Sequence, residues 1–143
     1  MQLEKVEVLE GQLLLLPQVD CPVTHRFGPG LYMREISIPK DSIVIGHYQN
    51  FEQVNILLQG KLTLFGENGE RKEVVAPATF VGQPGRKIAY AHEDSKFMNV
   101  YSTHETDVEK LEANLVTKTS AWLTNSEEKH IASLKNGGVE CHS

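Results

Sequence analysis

The sequence predicts an all-β chain, mainly antiparallel, followed by one or two C-terminal helices. Two observations carry this. Short runs of apolar and β-branched residues recur through the first hundred or so positions, each closed by Gly, Pro or Asn-Gly. Such spacing marks an antiparallel sandwich or barrel rather than a parallel sheet. From Thr106 onward the pattern changes to capping boxes and helical periodicity. Residues 1–104 are therefore expected to form the β-barrel, and residues 105–143 a helical extension packed on it or on a second subunit.

Met1 to Leu16 reads as one or two strands split at Glu10 and Gly11, with Lys5 to Leu9 alternating as a half-exposed strand does. Pro17 to Gly30 holds three prolines and two glycines and reads as a loop. His25 and Arg26 lie within it as solvated residues, with anion binding the alternative. Leu31 to Ile38 and Ile43 to Tyr48 are the next strands, separated by a turn at Lys40-Asp41-Ser42. Val54 to Leu58 is apolar at almost every position and is closed by Gly60, which suits a strand buried on both faces. Lys61 to Phe65 and Glu73 to Val75 flank Asn68-Gly69, a strong hairpin signal. Lys87 to Ala91 and Phe97 to Ser102 form the last strand pair. In the C-terminal part, Thr106 is the expected N-cap, with Glu109 closing the capping box. Val108, Leu111 and Leu115 then form one helical face. A second capping box at Thr124 opens a second short helix.

Side chains alternate along a strand. His47, Gln49, Phe51, Gln53, Asn55 and Leu57 then share one face, and Tyr48, Val54, Ile56 and Leu58 the other. Amides and one imidazole on an otherwise apolar strand need partners when buried, so the first face is a candidate pocket lining. Pro84-Gly85 is followed by Arg86, Lys87, Tyr90 and His92. Cations beside a glycine turn with an aromatic ring suit an anionic or nucleotide-like ligand; a solvated turn is the alternative. Phe51, Phe65, Phe80, Phe97 and Trp122 are assigned to the core.

The 143 residues, 40% of them apolar, suit one packed domain. The formal net charge of −5 disfavours a broad nucleic-acid or anionic-membrane surface. The apolar run Leu13 to Leu16 is too short to span a bilayer. Cys21 and Cys141 are read as free thiols of a cytoplasmic protein, with a disulfide the alternative.

The stretch Gly46 to Gly60, GHYQNFEQVNILLQG, resembles the first motif of the cupin superfamily, in which a glycine precedes His-x-His, a Glu and a second glycine. Counting back from Gly60 puts Gln53 at the Glu position and Gln49 and His47 at the two His positions. A longer gap puts Tyr48 and Gly46 there instead. A third register, resembling short cupin-like proteins of tailed phages, maps the histidines onto Gln49, Phe51 and Gln53. FVGQPGRKIAYAH, Phe80 to His92, resembles the second motif, with Ile88 at the histidine position and His92 at the usual Asn. The resemblance spans roughly Leu31 to Tyr101.

It implies a single cupin-like jelly-roll barrel, a homodimer formed through edge strands, and a metal site whose ligands are mostly replaced. The expectation is a barrel without metal or other cofactor that binds a small ligand through His47, Gln49, Gln53, Asn55, Arg86, Lys87, Tyr90 and His92, without catalysis. The ligand is polar or anionic, with a nucleotide signal one candidate. The phage resemblance adds an accessory role in the host cytoplasm. The alternatives are a metal-dependent or isomerase-type enzyme using His47 or His92, and a structural protein.

Overall fold

The computed structural model describes residues 8–12 and 20–118. Eleven short strands follow one another: β1 Val23–Gly28, β2 Leu31–Ile38, β3 Ile43–Ile45, β4 Tyr48–Gln49, β5 Gln53–Gln59, β6 Lys61–Gly66, β7 Arg71–Val75, β8 Ala78–Gly82, β9 Lys87–Ala91, β10 Ser95–Ser102 and β11 Val116–Thr117. A helix, α1 Val108–Leu115, lies between the last two. All the strand pairs are antiparallel. One sheet has the order β1-β2-β10-β5-β8, a second β3-β9-β6-β7, and β4 pairs with β11. This is the expected fold class, a jelly-roll sandwich with a helix after it.

The core lies between the two larger sheets. Ile36 and Leu57 from the first meet Val44, Leu62, Leu64 and Val74 from the second, all nearly or fully buried. Sheet packing of this kind needs alternation, and β5 shows it: Gln53, Asn55 and Leu57 point inward while Val54 and Leu58 are 44% and 46% exposed. β5 is thus buried on one face, not both as its apolar run suggests. An antiparallel sheet can leave one face to water, and Val54 lies beside the exposed Val81 on that outer face.

The turn after β5 requires glycine. Gly60 has φ of +93°, and a Cβ there would stand 2.6 Å from the Asp94 carbonyl oxygen. The conformation is left-handed and the space is filled by backbone, so both steric reasons select glycine. The Asn68-Gly69 hairpin joins β6 and β7 as expected, with Gly69 at φ +79°.

Three local expectations are corrected. Residues 8–12 form a helical turn rather than the end of a strand. Glu10 in it is 1% exposed, and Leu9, like Phe65, packs on Ile45 and Ile88. Tertiary docking here overrides a strand-like local pattern. Val23 to Gly28 is a strand, not loop; Pro22 precedes it and Pro29-Gly30 makes the turn into β2. The polar character of β1 reflects an edge strand, with Arg26 paired to Glu35 across it. The N-cap of α1 is Asp107, not Thr106: Asp107 Oδ1 accepts from the backbone N–H of Glu109 and Lys110. Both residues are good caps, and the Asp carboxylate also favours the positive end of the helix.

Leu111 and Leu115, spaced to share one helical face, pack on Tyr32 and Tyr101. Cys21 is disulfide-bonded rather than a free thiol; Cys141 lies outside the described residues, as do the second predicted helix and Trp122. Phe51 is 49% exposed, not core, because the chain turns between β4 and β5 and breaks the parity.

Candidate functional site

Between the sheets, at the end where β4 and the start of β5 lie, is a cavity of about 60 Å³ that is partly open to solvent. Its apolar floor includes Ile36, Ile38, Leu62, Leu64 and Phe97. Its polar wall is His47, Gln49, Gln53, Asn55, Gln83, Lys87 and Asn99.

Neighbouring strands fix this wall. Gln49 and Gly85 exchange backbone hydrogen bonds at 2.8 and 3.0 Å, and the Gly46 N–H donates to the Lys87 carbonyl at 3.0 Å. His47 and Lys87 are thereby held on one rim. On the opposite sheet Asn99 stands directly across from Asn55 in the β10–β5 register. The Asn99 Nδ2 donates to Asn55 Oδ1 at 2.7 Å, with the two residues 8% and 1% exposed. The Tyr101 hydroxyl donates to Gln49 Oε1 at 2.7 Å. Gln53, with its amide turned to match its surroundings, donates to the carbonyls of Phe51 at 2.6 Å and Gly82 at 3.2 Å. Gly82 leaves room for these amides: a Cβ there would lie 2.5 Å from the Asn55 amide and 2.6 Å from that of Gln53.

The hydrogen bonds set what the wall offers a ligand. The Asn55 and Gln49 carbonyl oxygens each accept one protein hydrogen bond and keep a second lone pair, so with Gln53, Gln83 and Asn99 the wall holds both amide donors and amide acceptors. Lys87 adds an ammonium. Burial lowers its pKa, and the nearby Lys72 lowers it further while Glu70 acts the other way. Both ammoniums lie over the Phe80 ring, Lys72 at 4.0 Å and Lys87 at 5.7 Å from its centre. Beyond Gln49, burial pushes the Tyr101 phenol up to about 12. Burial likewise raises Tyr32, whose hydroxyl lies 2.6 Å from His25 Nδ1. His25 is lowered, by burial first and by Arg34 second.

The structure gathers His47, Gln49, Gln53, Asn55 and Lys87 on the cavity wall. It does not bring Arg86, Tyr90 or His92 there, and strand parity explains two of these. Lys87 faces inward, so Tyr90 on the same strand faces outward, where its hydroxyl donates to Asp41 Oδ1 at 3.0 Å. His92, just past β9, shares that outer face; its Nε2 meets the Thr63 hydroxyl at 2.6 Å. Arg86 is 2% exposed and ion-paired with Glu10, and its Nε donates to the Gly46 carbonyl at 2.7 Å. Its charge is already matched, and it fastens the N-terminal turn to the back of the cavity wall. Sequence reasoning missed Gln83, Asn99 and Lys72. For Asn99 a signal existed: Phe97, Asn99 and Tyr101 alternate inward as Gln53, Asn55 and Leu57 do.

The cupin likeness makes a metal worth testing against these donors. His47 is the one imidazole on the wall, and the rest are amides and an ammonium. Among the described residues no cluster of three or more His, Cys, Asp or Glu gathers anywhere. Transition metals favour imidazole, thiolate and carboxylate, and this set does not suit one. No described Asp or Glu lines the cavity, so the described lining itself supplies no carboxylate for acid–base work.

The fold is that of the cupins. Ectoine synthase from P. lautus superposes with a TM-score of 0.55 at 12% identity, over 73% of this chain and 83% of that one. An RmlC-like cupin from Desulfovibrio desulfuricans gives 0.51 at 13% identity, over 58% and 82%. KdgF from Halomonas sp. gives 0.50 at 17% identity, over 62% and 84%. At such identities the likeness is one of fold. No protein-family model and no curated protein matches the sequence. Among the described residues no helix is long and apolar enough to cross a membrane.

Proposed function

We propose that the chain binds a small polar or anionic ligand inside its barrel and does not catalyse a reaction on it. The observation that carries this is the composition of the wall: buried amides, one imidazole and one lysine over an apolar floor. Buried amides are retained where their hydrogen bonds have a use. Here Gln49, Gln53, Asn55 and Asn99 all line the cavity. A nucleotide finds less support than a smaller ligand. The Arg86 charge that favoured it is matched by Glu10. The accessory role in a phage-infected host rests on the resemblance of the β4–β5 segment alone.

A homodimer is part of the proposal. β1 and β8 end the five-stranded sheet among the described residues. Open edges invite pairing with a second copy, and the apolar Val54 and Val81 on the adjoining outer face add to the driving force. Native mass spectrometry of protein purified without chelator, with metal analysis of the same sample, tests both points. A dimer carrying a small molecule and no stoichiometric metal is expected. One metal per chain overturns the binding reading, and a monomer at micromolar concentration overturns the assembly.

A further inference from the structure

We infer that Lys87, with Lys72 beside it, is a reactive amine, and that the cavity ligand carries an aldehyde or ketone carbonyl which Lys87 Nζ captures reversibly as an imine. The inference rests on the binding reading above and names the group by which the ligand is held.

The placement of Lys87 is the first argument. It is the one amine on the described cavity wall, and the same lining includes the apolar Val44, Leu64 and Ala89. A lysine attacks only as the neutral amine, and an apolar pocket or a second cation beside it favours that form. The second cation is present. Lys72 and Lys87 stand over the same Phe80 ring, 4.0 and 5.7 Å from its centre. The ring attracts both ammoniums, and so holds two like charges at one place.

The surrounding charges leave the pair largely uncompensated. Glu67 gives its carboxylate to the backbone N–H of Arg86 at 2.7 Å, and the Arg86 side chain is paired with Glu10. His47 lines the same wall. Among the described residues no salt bridge engages Lys87. Burial lowers its pKa first and Lys72 second, and Glu70, the smallest of the three influences, raises it.

The step needs no co-reactant. The neutral Nζ attacks the carbonyl carbon and forms an N–C bond. Both amine protons then leave with the carbonyl oxygen as water, which gives the C=N bond, and added water reverses the capture. The carbinolamine formed on the way carries a hydroxyl that donates and accepts, and the amides of Gln49, Gln53, Asn55 and Asn99 on the wall can do both.

The test is reductive alkylation of the full chain with butanone and sodium cyanoborohydride near neutral pH. The reagent adds hydride to the imine carbon and leaves a stable secondary amine, located by peptide mass mapping. Lys96, exposed on β10, is the internal control. Lys87 should be labelled at least about threefold faster than Lys96, as a desolvated amine beside a second cation requires. Its rate should level off as butanone is raised, while that at Lys96 rises in proportion. Lys72→Met, at an exposed position and shown to be folded by its thermal transition, should slow labelling at Lys87 and leave Lys96 unchanged. Equal rates at the two lysines, a rate at Lys87 that never saturates, or one indifferent to Lys72→Met overturns the inference. The binding reading is decided separately, by whether untreated protein carries a small molecule in its native mass spectrum.

Discussion

Glu10→Ala would leave the Arg86 guanidinium buried without its carboxylate. Both side chains are 1% exposed, so water cannot replace the lost partner without undocking the 8–12 turn. The Arg86 Nε–H to Gly46 carbonyl bond would survive, but Nη1 already has no hydrogen-bond partner within the described structure. Removing one partner of a buried ion pair costs about 3–5 kcal/mol, because a charge is left in a low-dielectric site. Replacing both partners is different: Glu10→Leu with Arg86→Met removes both desolvation penalties and should return stability to within about 1 kcal/mol of wild type. Equilibrium urea unfolding, followed by tryptophan fluorescence and circular dichroism, measures each variant. The midpoint should fall in Glu10→Ala and recover in the double variant, at unchanged denaturant slope. A loss below about 1 kcal/mol in Glu10→Ala would refute the reasoning, since that is the range of a solvated pair.

Two further outcomes follow from the site. The Tyr101 phenol is raised from 10.0 to about 12 on folding. A raised folded pKa gives stability that is whole below pH 10 and lost as the pH climbs through about 12. Two pKa units correspond to about 3 kcal/mol. Tyr32, raised in the same direction, adds to this. Lys87, lowered on folding, opposes it as its charge is removed below its ordinary value of 10.5. Tyr101→Phe should flatten the alkaline fall in urea midpoint, and an unchanged fall would show that Tyr101 is solvated. Gly82→Ala places a methyl against the Asn55 and Gln53 amides at 2.5 and 2.6 Å. Overpacking of this kind costs about 1–3 kcal/mol, and it should weaken ligand binding at least about tenfold; binding equal to wild type would mean these amides are not part of the site.

The β-sandwich was legible in the sequence because its signals are local. Asn68-Gly69, Gly60 and the alternation of Gln53, Asn55 and Leu57 each carry their reason in adjacent residues. Part of the site was legible for the same cause: alternation puts Gln53 and Asn55 on one face of β5, while His47 and Gln49 reach the same cavity from before the turn at Phe51. What the sequence hid was relational. Arg86 looks like a solvated cation beside a glycine turn, and only the docked N-terminal turn, far away in the chain, supplies Glu10. Asn99 gains its meaning from standing opposite Asn55 across β10 and β5. Tyr90 and His92 differ in parity or position from Lys87, so they cannot share its inward face. The edge strand β1 looks like loop in the sequence because edges carry polar side chains and flanking prolines, and pairing with β2 outweighs local propensity.

The measurement closest to the central claim is a two-dimensional ¹H–¹⁵N spectrum of the side-chain amides, recorded on the protein as purified and again after unfolding, dialysis and refolding to strip any bound small molecule. The N–H₂ resonances of Gln49 and Asn55 should shift most, with Asn99 following through its bond to Asn55. The amide resonance of Gln59, far along β5 and bonded to the Asp94 carbonyl, should stay in place. Shifts confined to residues outside the cavity wall, with Gln49 and Asn55 unmoved, would contradict the account.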